Sequence, residues 1–385
     1  MGVNMETIHK NQLEEIINLT KKIAQEKIAP QASKFDQADV FPRDALHILG
    51  ESDLPALVLS ESEDGFGGKR VELVAAVREI AKVCASTALV FTSHVVLLKA
   101  IDISGNDFLK KKWISDLTKC KSLGAFAVHE PDCGSNAGAI STVAVKDGRD
   151  YVVNGSKFFI TSGEEANAYL VLVKTESGKG LNGMSTLLIE KNNPGLSFGQ
   201  AEKKMGLKST SSKEIFFSNC RIPEKNLIGD EGNGLEILGK SLIEWGFYGA
   251  AAISSGLAIA ALEKAVRHAK ERTIAGQPIG VHQGVQFLIS DMVLGSETIE
   301  TYLNSCASIA DDKNDIAAIN GFKAKLYASE KAIDVTNKAV QVLGGQGYCR
   351  ENTVERLFRD ARGLTLHFKT SEWLRQDIAK AVLRI

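Results

Sequence analysis

Residues 151–160 read Tyr-Val-Val-Asn-Gly-Ser-Lys-Phe-Phe-Ile, two β-type runs on either side of Asn154-Gly155. A tight primed turn needs positive φ, which Asn and Gly accept at least cost, so the stretch predicts a β-hairpin turning at 154–155. Outward from it lie further short runs rich in β-branched or aromatic residues, at Ala125 and Ala127, 170–173, 187–189 and 215–217, with Pro194-Gly195 and Ile222-Pro223 as punctuation. No helical period falls between these runs. The sheet is therefore expected to be antiparallel and barrel-like rather than doubly wound.

Beyond the sheet region the period changes to three and four. Leu13, Ile16, Ile17, Ile23, Ala24 and Ile28 mark an amphipathic helix that Pro30 is expected to close. After Gly65-Phe66-Gly67-Gly68 a long pattern covers 71–101, with Ala75, Ala76, Ala81 and Ala85 suited to close helix packing. Helical periods return after Asn226 and run over 257–272, 285–310, 316–343 and 375–383, long enough for a bundle. The expected organisation is an α region at 1–119, a β region at 120–225 and an α bundle at 226–385.

A chain of 385 residues with 44% hydrophobic and 24% charged residues has the composition of a folded globular protein, not a disordered one. Its 46 basic and 47 acidic residues leave a formal charge of −1, which offers no field for nucleic acid or anionic lipid. The six cysteines form no CxxC pair and no metal-ligand spacing, so neither a metal site nor a disulfide framework is predicted. The start lacks the basic patch and apolar stretch of a signal peptide, and the apolar run 89–98 is too short to cross a bilayer. A cytoplasmic location with no membrane association is expected.

Common motif searches are negative: no GxGxxG follows a strand, there is no GxxxxGK[ST], and Ser135 is not in a nucleophile elbow. Seven segments, HEPDCGSNAG at 129–138, NGSKFFITSG at 154–163, Glu271-Arg272, His282-Gln283, QVLGGQGY at 341–348, VERLFRDA at 354–361 and Thr370-Ser371-Glu372, occur instead in a telling order. In that order and spacing they resemble the flavin-dependent acyl-CoA dehydrogenase family, over nearly the whole chain. The resemblance implies an α domain, a central β domain and a C-terminal four-helix bundle, assembled as homotetramers or dimers.

It also implies FAD, held by the β domain and by the bundle of a neighbouring subunit. Phe159 stands where the family usually has a Trp packed on the flavin, and Thr161 where a hydroxyl bonds near flavin N5; each alone also reads as an ordinary strand residue. Phe126, Val128 and Gly134 are carried over as further cofactor contacts. Arg272 and Gln283 match positions that reach the pyrophosphate and adenosine across a subunit contact, where a guanidinium suits two phosphates. Gln341, Gly344 and Gly345 resemble the adenosine-side loop, which is equally a glycine-rich helix cap. Thr370 and Glu372 follow the family's cofactor-contacting tail, and Ser135 lies near both cofactor and substrate thioester. At His129 the family usually carries Thr. An imidazole there would donate to the flavin's pyrimidine edge and, if protonated, favour the reduced flavin; a satisfied strand-end histidine is the alternative.

The family's chemistry needs a carboxylate to take the α-proton of the thioester. Many members carry it in the tail, but the matching position here is Phe368. Others carry it on the first long bundle helix, and in the corresponding stretch SLIEWGF, 241–247, Glu244 is the only acid. Counting from the glycines on either side places the family's Glu at Trp245 or Gly246, as though the helix held one inserted residue. Glu244 is the expected base, its apolar neighbours raising its pKa by desolvation.

The tail LHFKTSEWLR, 366–375, and the relocated base look like the subgroup that oxidises proline held as a thioester on a peptidyl carrier protein. That subgroup would take a carrier bearing a phosphopantetheine thioester as partner and either O2 or an electron-transfer flavoprotein as acceptor, with Trp245 and Phe368 shortening the substrate pocket. Both aromatics also suit a plain core role. Two other readings stay open: a short or branched-chain acyl-CoA dehydrogenase, and a FAD-binding interaction protein without catalysis.

Overall fold

The computed structural model describes residues 5–103, 106–175 and 180–384. Six helices come first: α1 (Met5–Ile23), α2 (Ala29–Ala38), α3 (Arg43–Glu51), α4 (Arg70–Val83), α5 (Ala85–Ile103) and α6 (Asp107–Thr118). Pro30 does not end the first helix. A π turn, Ala24–Ile28, joins α1 to α2 and leaves Pro30 in the first turn of α2, where its missing N–H has no ladder partner to lose. The single pattern predicted over 71–101 is divided at Cys84, whose extended backbone (φ −151°, ψ 98°) separates α4 from α5.

α5 is apolar all round and buried on nearly every side. It and the segment Gly234–Glu271 are each long and apolar enough to cross a membrane, so the apolar run near 89–98 extends further than its interruptions suggest. In both, 89% of the most apolar window is buried inside the protein, which is where that surface finds its partners.

Eight strands follow: β1 (Gly124–Ala127), β2 (Val143–Asp147), β3 (Asp150–Ile160), β4 (Ala168–Lys174), β5 (Met184–Glu190), β6 (Leu196–Phe198), β7 (Lys213–Pro223) and β8 (Leu227–Ile228). They form one open sheet in the order β6-β7-β3-β2-β4-β5-β8, with β1 parallel to β4. The barrel-like expectation is thus corrected: β6 and β8 remain edges, and the otherwise antiparallel sheet includes parallel pairing at β4.

The hairpin position is corrected as well. β3 runs straight through Asn154-Gly155, and the register against β7 slips by one residue there, a β-bulge. The reversal lies at Gly148-Arg149, where Asp147 pairs with Asp150 and Gly148 takes φ +65° as the first central residue. Gly155 is needed for close approach instead: a Cβ there would stand 2.6 Å from Thr142 Oγ1.

The C-terminal part begins with α7 (Gly234–Leu238), a π segment Gly239–Gly246 and α8 (Phe247–Glu271), which form one continuous rod. Then come α9 (Gln283–Asp312), α10 (Ala317–Leu343), the short α11 (Gly345–Tyr348), α12 (Thr353–Leu364) and α13 (Ser371–Leu383). Small residues let α8 lie close against α4: a Cβ on Gly256 would come within 2.5 Å of the Arg78 carbonyl. One large apolar core joins the helices to the inner face of the sheet. A second fills the other face around Tyr151, Tyr169, Val171, Ile189 and Ile215.

Candidate active site

The end of β1, the bulged end of β3 and the tail before α13 converge. Lys157 and Glu130 are fully buried there, Nζ to Oε1 2.8 Å, and Lys157 also donates to the Val128 carbonyl at 3.1 Å. Glu130 accepts further bonds from Ser141 and from the Thr142 amide. Burial opposes its ionisation, but Lys157 and these donors prevail and hold its carboxyl at about 2. The pair ties the loop after β1 to β3. Sequence reasoning missed it, although both residues lie inside the quoted segments; the signal was a Lys between strand runs that otherwise bury apolar side chains.

Past Lys157, β3 presents the expected cofactor residues. Phe159 has φ +55°, a conformation costly for a bulky residue, and its ring is 57% exposed. Thr161 is buried, and its hydroxyl has no hydrogen-bond partner among the described residues. Gly134, at φ +52°, leaves open space where a Cβ would stand. Opposite them is the tail. Phe368 stacks on Phe126 (5.6 Å between ring centres) and meets Phe247 edge-on (6.0 Å), and the Thr370 amide donates to Ser135 Oγ at 3.4 Å. Phe126, Ser135, Phe368 and Thr370 thus form one wall, bordered by Val128.

His129 sits in the same wall. Burial, then Lys157 and Lys369, push its pKa down, with the Phe368 carbonyl acting the other way. These surroundings disfavour the charged form of the ring, and a neutral ring still offers an N–H.

The tail rests on a buried lysine that the sequence did not suggest. Lys325 of α10 is fully buried and donates to the Lys369 carbonyl at 2.6 Å, and burial lowers its pKa to about 7 despite Glu330 and Glu372. Glu372 itself is exposed in the first turn of α13.

Glu244 lies in the π segment, in which the Phe247 amide reaches back five residues to Leu242. Such a turn holds one more residue than an α turn and is the geometric form of the insertion that the glycine counts indicate. Gly246, from the same segment, faces the tail: a Cβ on it would come 3.0 Å from Phe368 Cε1. The Glu244 carboxylate meets Arg70 at the start of α4, Nη2 to Oε2 2.8 Å, and is little exposed. Its pKa is raised; burial outweighs the lowering by Arg70, Lys240 and Lys99. Trp245 is buried with Lys99 Nζ 4.8 Å and the Arg70 guanidinium carbon 5.1 Å from its ring centre.

Arg272, Gln283, Gln341, Gly344 and Gly345 are exposed at helix ends of the bundle, and none bonds to the wall just described. The Arg272 guanidinium makes no ion pair or hydrogen bond among the described residues. Gly344 (φ +59°) and Gly345 have open space at their Cβ positions.

The donor set fits FAD. An exposed aromatic held in a strained conformation offers a ring platform, the Thr161 hydroxyl is free to bond, and bare glycines with an unpartnered guanidinium suit a dinucleotide's phosphates.

Three family models cover the chain: acyl-CoA dehydrogenase N-terminal domain over 10–121, middle domain over 125–220 and C-terminal domain over 232–383. The chain belongs to the acyl-CoA dehydrogenase family, enzymes that use FAD to dehydrogenate acyl thioesters. Among curated relatives it is 35% identical to the NADH-dependent acryloyl-CoA reductase of Anaerotignum propionicum (96% of this chain, 94% of the relative). It is 33% identical to the short-chain specific acyl-CoA dehydrogenase of Clostridium acetobutylicum (96% and 98%). Among solved structures, butyryl-CoA dehydrogenase of Megasphaera elsdenii superposes with TM-score 0.93 at 30% identity, covering 100% of both chains. The prolyl acyl carrier protein oxidase AnaB gives 0.91 at 26%, covering 99% and 100%, and PigA with FAD and proline 0.93 at 25%, covering 100% of both.

Proposed function

We propose that this acyl-thioester dehydrogenase acts on an L-prolyl group carried by a peptidyl carrier protein, with Glu244 as the base. The observation that carries this reading is the placement of acids. Phe368 fills the tail position where many family members hold their carboxylate, Gly246 opposite it has no side chain, and Glu244 is the acid of that segment. The likeness to AnaB, a prolyl acyl carrier protein oxidase, and to PigA bound to FAD and proline supports the substrate class.

Glu244 accepts the α-proton of the thioester, and burial raises its affinity for that proton above that of an ordinary carboxylate. FAD, held beside Phe159 and Thr161, would supply the acceptor for the β-hydrogen. Phe159 supports the ring system, Thr161 offers it a hydroxyl, and Ser135 and Phe368 border the acyl group. Trp245 and Phe368 keep the space short, as a five-membered ring requires. Arg272, Gln283 and the loop Gln341, Gly344 and Gly345 serve the cofactor of a neighbouring subunit in a dimer or tetramer. Electrons leave to O2 or to an electron-transfer flavoprotein.

A second reading, a short-chain acyl-CoA dehydrogenase, is favoured by the curated relatives at 33–35% identity. Purified holoenzyme mixed anaerobically with prolyl-loaded carrier protein or with butyryl-CoA separates the two. Flavin bleaching is expected with the prolyl carrier, and Glu244→Gln should keep FAD yet lose about 10²–10⁴-fold in rate. Bleaching by butyryl-CoA alone would select the second reading, and bleaching by neither would leave a binding protein without catalysis.

A further inference from the structure

Glu244 is gripped from a distant part of the chain. The Arg70 Nη2 donates to Glu244 Oε2 at 2.8 Å while its Nε donates to the Glu244 backbone carbonyl at 2.9 Å, so one guanidinium holds both the side chain and the π segment that carries it. Arg70 is itself fixed. Nη2 also bonds Asn314 Oδ1 at 2.6 Å, and Nη1 bonds the Ala310 carbonyl at 3.2 Å and Asp311 Oδ1 at 3.3 Å. Asp311, at the end of α9, then caps α4 from outside: its two oxygens accept the Arg70 and Val71 amides at 2.8 and 3.1 Å. No side chain of α4's own N-terminus does so.

We propose that Arg70 is a positioning residue of the reaction, which aims the Glu244 carboxylate and keeps it an anion where it is shielded from water. The inference rests on Glu244 being the base. A carboxylate as little exposed as that of Glu244 would, without a cation beside it, be driven further toward keeping its own proton and would lose its capacity for another. A guanidinium supplies the charge without giving up a proton, and its planar fork fixes orientation as an ammonium cannot. The charged and titratable groups facing Glu244 are Arg70 from α4, Lys99 from α5, Lys240 of its own segment and Tyr248 from α8, with Asp311 from α9 behind Arg70. Of the cations, Arg70 has the largest influence and is in direct contact.

The test is the pH dependence of kcat/KM for the holoenzyme with the thioester that bleaches its flavin, prolyl carrier or butyryl-CoA, in wild type, Arg70→Gln, Arg70→Lys and Asn314→Ala. Loss of Arg70 removes a lowering influence on the base, so the acidic limb should move upward by about one pH unit or more. In Arg70→Gln activity should fall about tenfold or more near pH 6 and recover toward wild type near pH 9. Arg70→Lys should lie between. Asn314→Ala leaves all charges in place and only loosens the guanidinium, so it should shift the limb in the same direction by less, and it carries the test if Arg70→Gln fails to fold. An acidic limb at its wild-type position in all three variants, with Glu244→Gln inactive, overturns the role of Arg70 alone. An active Glu244→Gln overturns the base assignment, and the inference with it.

Discussion

Gly246 of the bundle and Phe368 of the tail face each other so closely that a single methyl on the glycine would touch the phenyl ring. The family resemblance puts a proton acceptor at the position of Phe368 in many members and at that of Trp245 or Gly246 in others, and none of these side chains can accept a proton. The ring occupies the room that a tail carboxylate would take.

Phe368→Ala should therefore lengthen the site. Truncating a buried Phe costs about 3–5 kcal/mol in stability, and the vacated volume lies between Phe126, Phe247 and Gly246. Activity with six- and eight-carbon acyl-CoAs, relative to four-carbon, is expected to rise about tenfold or more. A chain-length profile unchanged from wild type would place Phe368 in the core only.

Phe159 carries a different expectation. Its ring is exposed although its backbone is strained, so Phe159→Ala should leave folding nearly intact while weakening FAD retention about tenfold, consistent with about 1 kcal/mol for an aromatic contact beyond its area. Phe159→Trp should bind as well as wild type. Fluorescence titration of apoprotein with FAD measures both.

The buried pair Glu130 and Lys157 sets an acid limit. Glu130 has a folded-state pKa of about 2, below its ordinary value of 4.5, so its contribution to stability is complete above pH 4.5 and is lost as pH falls toward 2. Lys157→Met removes the cation and leaves a buried carboxylate, at a cost of about 3–5 kcal/mol. Its acid unfolding midpoint should move to higher pH. A midpoint equal to wild type in circular dichroism titrations would contradict this.

Lys325 works in the opposite sense. Burial lowers its folded-state pKa from 10.5 to about 7, so between those values the unfolded chain binds more protons and stability should rise with pH. Lys325→Met should flatten the rise in melting temperature between pH 7 and 10 and free the Lys369 carbonyl beneath the tail. Parallel slopes in the two proteins would refute the assignment.

Much of this was legible in the sequence because helical and strand periods report burial directly. The runs at 170–173 and 187–189 became β4 and β5, and the glycine counts around Glu244 foretold a helix with a residue too many. What misled was local chemistry overruled by pairing. Asn154-Gly155 has the composition of a turn, yet β7 offers a partner along the whole of β3, so the strand continues through it opposite a bulge in β7 at Ser218-Asn219, and the reversal fell to Gly148. Pro30 has the look of a stop, yet a π turn before it supplied a slot that tolerates it. The contacts of Arg70 were invisible for a plainer reason: its partners lie 174 and about 240 residues away, beyond any local pattern.

That separation has a consequence for how such enzymes can be recombined. Glu244 belongs to one half of the chain and its partner Arg70 to the other, so a chimaera that takes its first hundred residues from a relative with an apolar side chain at position 70 would inherit a carboxylate but no counter-ion. The two halves are matched parts, because the Arg70 guanidinium and the Glu244 carboxylate meet only when both come from the same source.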